Sequence, residues 1–174
     1  MNRTFASLSV MAGALALSAC KTTAPDVLPP DPVPSTGETS TGGTTSQGPA
    51  VGSQAHFEQT INGQNVIYFD TDRYNIDSAD AAALQTQAQY LARYPSVTIT
   101  VEGHADERGT REYNLALGER RANSAKNYLV SLGVDAGRIQ TVSYGKERPI
   151  DPGTSEAAYQ RNRNTHTAIT SGAR

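Results

Sequence analysis

Between residues 66 and 170 the chain alternates between two periodicities. Val66-Ile67-Tyr68-Phe69 is a short apolar run closed by Asp70, which predicts a buried strand. Asp77 or Ser78 is placed to cap a helix in which Ala81, Leu84, Ala88 and Leu91 recur at spacings of three and four. Tyr94-Pro95 ends it, because proline supplies no backbone donor. Val97, Ile99 and Val101 then alternate with Thr98, Thr100 and Glu102, the period of a strand. A polar, glycine-bearing loop is expected from Gly103 to Tyr113. Asn114 is read as the cap of a second helix, with Leu115, Gly118, Ala122, Ala125, Leu129 and Leu132 along its inner face. The small members of that stripe let it lie close to a sheet, and Gly133 ends it. A third strand fits Gln140 to Tyr144, a helical turn Glu156 to Arg161, and a last, weaker strand Thr165 to Thr170.

Strands and helices in that order predict an α/β (α+β) two-layer sandwich, with helices packed on a small mixed four-stranded sheet. The folded part is placed at residues 54–174, about 120 residues, enough for one modest core.

Upstream the texture differs. Six of the nine prolines lie between Lys21 and Ser53, interleaved with Thr, Ser and Gly. So few large apolar groups cannot offset the entropy of ordering, and residues 20–53 are read as a disordered tether. As a flexible coil it spans about 30 Å end to end. At the start, Arg3 precedes a largely apolar stretch from Phe5 to Leu17, too short to cross a membrane and suited to a signal peptide over residues 1–19.

The single cysteine excludes an internal disulfide and focuses attention on its position. Leu17-Ser18-Ala19-Cys20 resembles the bacterial lipobox, in which the signal is cut before a cysteine that is then lipidated. The resemblance implies a thioether-linked diacylglycerol and an N-acyl chain on Cys20. Three chains, at roughly 0.8 kcal/mol per buried methylene, make release into water negligible. Lys21 stands where an aspartate often signals inner-membrane retention, which favours the outer membrane. The net charge of −2 gives no reason to expect nucleic acid.

The most informative text runs from Val101-Glu102-Gly103-His104-Ala105-Asp106-Glu107-Arg108-Gly109-Thr110 to Leu117-Gly118-Glu119-Arg120-Arg121-Ala122-Asn123, with Val142-Ser143-Tyr144-Gly145-Lys146-Glu147 beyond it. These segments resemble the OmpA-like peptidoglycan-binding domain, in its lipoprotein branch, over nearly the whole folded part. The resemblance implies that Asp106 and Arg121 hold the diaminopimelate side chain of the peptidoglycan stem peptide. The chemistry is sound: the free end of diaminopimelate carries an ammonium for a carboxylate and a carboxylate for a guanidinium. Read without the family, Asp106 and Arg121 would simply pair with each other across loop and helix. By the same resemblance Phe69 and Asp70 lie beside the pocket, Asn114 touches ligand and Arg163 faces the pocket edge. From the residues alone, Phe69 is equally a core aromatic, Asn114 a cap and Arg163 a surface ion pair. The family also implies contact with TolB, a periplasmic propeller protein, and with other components of the Tol–Pal system of envelope integrity and cell division.

The chain departs from the family pattern after Arg163, where Asn164-Thr165-His166-Thr167-Ala168-Ile169 replaces a second arginine and an apolar strand. No enzyme, metal or cofactor is expected. The three histidines, His56, His104 and His166, lack zinc-ligand spacing, and the lone thiol is committed to lipid. His104 is expected to fix its loop by hydrogen bonding.

Overall fold

The computed structural model describes residues 48–172. The signal, Cys20 and most of the expected tether lie outside the described residues. Ser53 caps a seven-residue helix α1 (Gln54–Thr60) by accepting from the His56 backbone N–H at 3.2 Å. Next come β1 (Val66–Tyr68), α2 (Ser78–Arg93), β2 (Thr98–His104) and α3 (Arg111–Ser131). A 3₁₀ turn (Ala136–Arg138), β3 (Ile139–Gly145), α4 (Glu156–Asn162) and β4 (Asn164–Ser171) complete the fold.

The four strands form one mixed sheet in the order β1-β4-β2-β3. β4 runs antiparallel to both β1 and β2, and β3 runs parallel to β2. Helices α2 and α3 pack on the sheet and on each other. Between them lies the core, in which Ile99, Val101, Leu91, Ala122, Ala125 and Leu129 are fully buried. The two-layer α/β architecture predicted from the periodicities is the one observed. The Asp77 carboxylate caps α2 by accepting from the Asp80 N–H at 2.8 Å.

Three local expectations need correction. α1 escaped the sequence reading because seven residues hold too few apolar positions to show a period, and only Phe57 is buried in it. The strand read as weak, β4, is the longest and sits between β1 and β2. Its buried polar side chains are largely paired: the Thr167 hydroxyl donates to Gln87 Oε1 at 2.8 Å, and Asn164 Nδ2 donates to the Arg161 carbonyl at 2.7 Å. Gln87, itself buried, donates to the Gln64 carbonyl at 2.7 Å. The third correction concerns α3. Leu132 is exposed and Leu115 only partly buried, while Asn114, Leu117 and Arg121 face inward instead.

One contact explains the inward turn of that helix. A Cβ on Gly103 would lie 1.9 Å from the Gly118 carbonyl oxygen, and one on Gly118 would lie 2.3 Å from Ser143 Oγ. The β2 and α3 backbones therefore meet with nothing between them, at positions where only glycine fits. This close approach brings the first turns of α3 beneath the end of β2, where the loop carrying Asp106 begins.

Candidate functional site

Arg121 follows Gly118 by three residues and points along the same inner face. Its side chain is fully buried. Nη1 donates to the His104 carbonyl at 2.7 Å, Nε to the Arg73 carbonyl at 2.9 Å and Nη2 to the Asp70 carbonyl at 3.1 Å. The guanidinium also stacks 5.2 Å from the Phe69 ring centroid. Three of its five N–H groups are thus committed to carbonyls. Among the described residues no carboxylate pairs with it. Desolvation, with Arg163 nearby, pushes its pKa down to about 10.

Asp106, two residues past β2, is also buried. Its Oδ1 accepts from the Arg108 backbone N–H and Nε, both at 3.1 Å. Its Oδ2 accepts from Arg108 Nη2 at 2.7 Å and from Arg163 Nη1 at 3.1 Å. Burial acts to raise the Asp106 pKa, but the hydrogen bonds from Arg108 and Arg163 prevail and hold it below the usual carboxylate range. The reading in which Asp106 and Arg121 pair with each other is overturned, since each is bonded elsewhere.

Both nonetheless line one cleft of about 320 Å³, together with Asn114, Arg108 and Arg163. Tyr113 and Asp72 also line it, and the Tyr113 hydroxyl donates to Asp72 Oδ1 at 3.2 Å. Asp72 has φ +55°, a left-handed turn beside the Asp70 and Arg73 carbonyls that Arg121 reads.

The remaining sequence candidates fall as follows. Asn114 is not the cap of α3. Thr110 is: it is extended (φ −76°, ψ 159°) and accepts from the Tyr113 N–H at 3.2 Å. Asn114 sits one turn inside, where its Nδ2 donates to the Arg108 carbonyl at 2.7 Å and shapes the loop. Arg163 is no surface ion pair. It is 4% exposed, donates to the Phe69 carbonyl at 3.1 Å and bridges Asp106 to Glu156. The Phe69 ring belongs to the core and the Asp70 side chain is exposed beside a neighbouring hollow. Both residues serve the site through their carbonyls. His104 likewise acts through its carbonyl; its Nδ1 is buried without a partner, so the expected imidazole hydrogen bond to the loop is not made there.

Arg108 is a site residue beyond those the sequence marks; its spacing two residues from Asp106 lets the guanidinium fold back onto that carboxylate. Around the cleft Arg108, Arg121 and Arg163 face the acids Asp72, Asp106 and Glu156, and among the described residues Arg108 and Arg163 pair with Asp106 and Glu156 while Arg121 pairs with none. Among the described residues no group of three His, Cys, Asp or Glu side chains is arranged to hold a metal ion.

The sequence profile of the OmpA family matches residues 68–163, a span that contains every site residue just described. The chain belongs to the OmpA family. It is similar to the peptidoglycan-associated lipoprotein of Rhizobium meliloti (strain 1021), 51% identical over 118 residues. That match takes in 68% of this chain and 66% of the relative, just under two thirds of its length. A peptidoglycan-associated lipoprotein of Haemophilus influenzae is 40% identical over 163 residues, covering 94% of this chain and 96% of the relative. Among solved structures, that of the peptidoglycan-associated lipoprotein from Burkholderia pseudomallei aligns with a TM-score of 0.62 at 39% identity. The alignment covers 65% of this OmpA-family chain and 96% of the other. The C-terminal domain of Helicobacter pylori MotB shares the fold at 22% identity and a TM-score of 0.58.

Proposed function

We propose that this chain is a lipid-anchored outer-membrane protein whose OmpA-family domain grips peptidoglycan without chemically changing it, through the diaminopimelate head of the stem peptide. The observation that carries the reading is Arg121: a buried guanidinium that lines a cleft and, among the described residues, has two N–H groups uncommitted and no carboxylate partner. A ligand carboxylate supplies the missing anion, and Asp106 in the same cleft supplies the acceptor for the ligand's ammonium. Each charge-assisted bond contributes roughly 1.5–3 kcal/mol. The names of the relatives, peptidoglycan-associated lipoproteins, support peptidoglycan as the polymer that carries this ligand.

The lipid on Cys20 holds the protein to the outer membrane, and the tether lets the domain reach the wall from the periplasmic side. On the family resemblance, TolB and other Tol–Pal components share the Gly103–Asn114 loop, so wall and partner alternate there. Among the described residues, no nucleophile, base and orienting group come together in the cleft, which favours a binding role over an enzymatic one.

Co-sedimentation of the full chain with purified walls tests the proposal. Diaminopimelate-type wall should carry the protein down, and Asp106→Ala should abolish this. Lysine-type wall, whose stem residue has the ammonium but no side-chain carboxylate, should retain little. Equal capture by the two walls would overturn the assigned site, and release of soluble wall fragments would overturn the non-enzymatic reading.

A further inference from the structure

Asp106 has no free acceptor site. A carboxylate offers about four lone-pair positions. Two on Oδ1 receive the Arg108 backbone N–H and Nε, and two on Oδ2 receive Arg108 Nη2 and Arg163 Nη1. An ammonium entering the cleft therefore finds its receptor already occupied.

We infer that Arg108 is an internal occupant of the ammonium site, and that a ligand binds by exchange, its ammonium replacing the Arg108 guanidinium on Asp106. The inference rests on the peptidoglycan reading above and adds a specificity-determining residue to it.

Only Arg108 is built to leave. The Arg163 side chain is 5% exposed and is anchored by the Phe69 carbonyl, Glu156 and Gln160 as well as by Asp106. The Arg108 side chain is 43% exposed. It also has partners that survive its departure: Glu156 Oε2 lies 3.2 Å from its Nη1, and its guanidinium carbon lies 4.6 Å from the Tyr159 ring centroid. The Tyr159 hydroxyl is itself fixed to Glu107 Oε1 at 2.7 Å. A displaced guanidinium therefore keeps an ion pair and an aromatic face instead of entering water alone.

The exchange is also matched in geometry. When the side chain leaves, the backbone N–H of Arg108 stays on Oδ1 and Arg163 stays on Oδ2. One acceptor site opens on each oxygen, which suits an ammonium bridging the two with two of its three N–H bonds. A neutral amine or hydroxyl brings no charge to replace the guanidinium's and does not displace it. Arg108 thus filters for cationic heads, and it lowers apparent affinity by the fraction of molecules in which it holds the site.

The experiment uses the full chain and a soluble stem peptide ending in diaminopimelate, with binding measured by calorimetry. Arg108→Met removes the donors but keeps an aliphatic stem against Tyr159. It should bind the peptide about tenfold more tightly than the parent, as when roughly nine in ten sites are self-occupied. Arg108→Lys, a point charge without the two-pronged grip, should fall between the two. In the parent protein, the Arg108 Nε–H resonance should shift on saturation while that of Arg163 stays. If Arg108→Met binds equally or more weakly while Asp106→Asn still abolishes binding, the exchange is wrong and the wall-binding site stands. If Asp106→Asn binds as well as the parent, both readings fall together.

Discussion

Arg121 and Arg138 make the same number of backbone contacts in two different regions, and the contrast separates a structural staple from a receptor. Arg138 donates to the carbonyls of Val97, Leu91 and Tyr94, at 2.9, 3.0 and 2.8 Å. It sits at the end of the 3₁₀ turn and closes the C-terminal end of α2. Its charge meets the negative end of the helix dipole, and its side chain is only partly buried. Arg121 donates to three carbonyls as well, but around the cleft, fully buried and, among the described residues, without an anion. Desolvation depresses its pKa to about 10. Equal hydrogen bonding thus leaves one cation satisfied and the other short of a countercharge, a shortage that a ligand carboxylate can fill.

Replacing each arginine by leucine is the most forceful way to break this comparison. Arg121→Leu should cost roughly 3–5 kcal/mol, the upper end for a single substitution, because the carbonyls of His104, Arg73 and Asp70 lose their donor, the first of them in a buried bond. It should also remove wall binding entirely. Arg138→Leu should cost about 1–3 kcal/mol, since water reaches part of that site, and leave wall binding intact. Urea denaturation and co-sedimentation on the same preparations read both quantities. Should Arg138→Leu lose wall binding as completely as Arg121→Leu, the two would be staples alike and the receptor reading of Arg121 would lose its support.

A smaller effect is expected where α3 meets β2. Gly118→Ala places a methyl 2.3 Å from Ser143 Oγ and 2.8 Å from the Gly103 carbonyl oxygen. The helix must back away, at about 1–3 kcal/mol by overpacking. Because Arg121 rides on the same helix, its three carbonyl contacts should lengthen and wall affinity should drop further than the stability loss implies. Gly133→Ala serves as a contrast at the far end of α3: nothing lies within 4 Å of its Cβ, and its cost comes only from φ +95°. A Gly118 variant as stable and as wall-competent as the parent would show that close backbone approach does not position the cleft.

The same contact marks the limit of what the sequence disclosed. The periodicities gave α2, β2 and β3 to within a residue or two, and along β2 one burial rule holds cleanly as far as Glu102, with apolar positions buried and polar ones half-buried. Strand β4 and the first turns of α3 break that rule. Thr165, Thr167, Asn114 and Arg121 are buried although polar, and the last three meet a carbonyl or amide that pairs with them. Hydrophobic patterning assigns such residues to the surface. The inward placement of Asn114 and Arg121 goes with the Gly103–Gly118 approach, and that of Thr165 and Thr167 with the pairing of β4 between β1 and β2, long-range contacts that no local window contains. In the site, Asp106 and Arg121 were legible through the family resemblance. The grip of Arg108 on Asp106 was not, because it depends on how the loop folds back upon itself.

The gentlest probe lies at His104, on the strand that delivers Asp106. Its ring is buried, its Nδ1 is unpaired and it packs 5.5 Å from the Tyr144 ring centroid. Desolvation pushes its pKa below the ordinary histidine value, outweighing the opposing pull of Glu102 and of the Arg148 backbone, while the charges of His166 and Arg148 add to the depression. In the unfolded chain the imidazole takes a proton near pH 6.5 and in the folded chain it resists. The stability it contributes is therefore complete above pH 6.5 and declines as pH falls toward the folded value. Asp106, also depressed, adds a loss of the same sign below about pH 4, whereas Asp80, raised chiefly by burial, opposes it at the acid end. The urea midpoint of the parent should thus fall between pH 7.5 and 5.5, and His104→Phe, which stays aromatic beside Tyr144 but cannot titrate, should flatten that slope. An unchanged slope would mean that the imidazole protonates as readily in the fold as outside it, and that the end of β2 is wetter than its burial indicates. The cleft would then lose part of the low-dielectric surroundings that make an unpaired Arg121 eager for an anion.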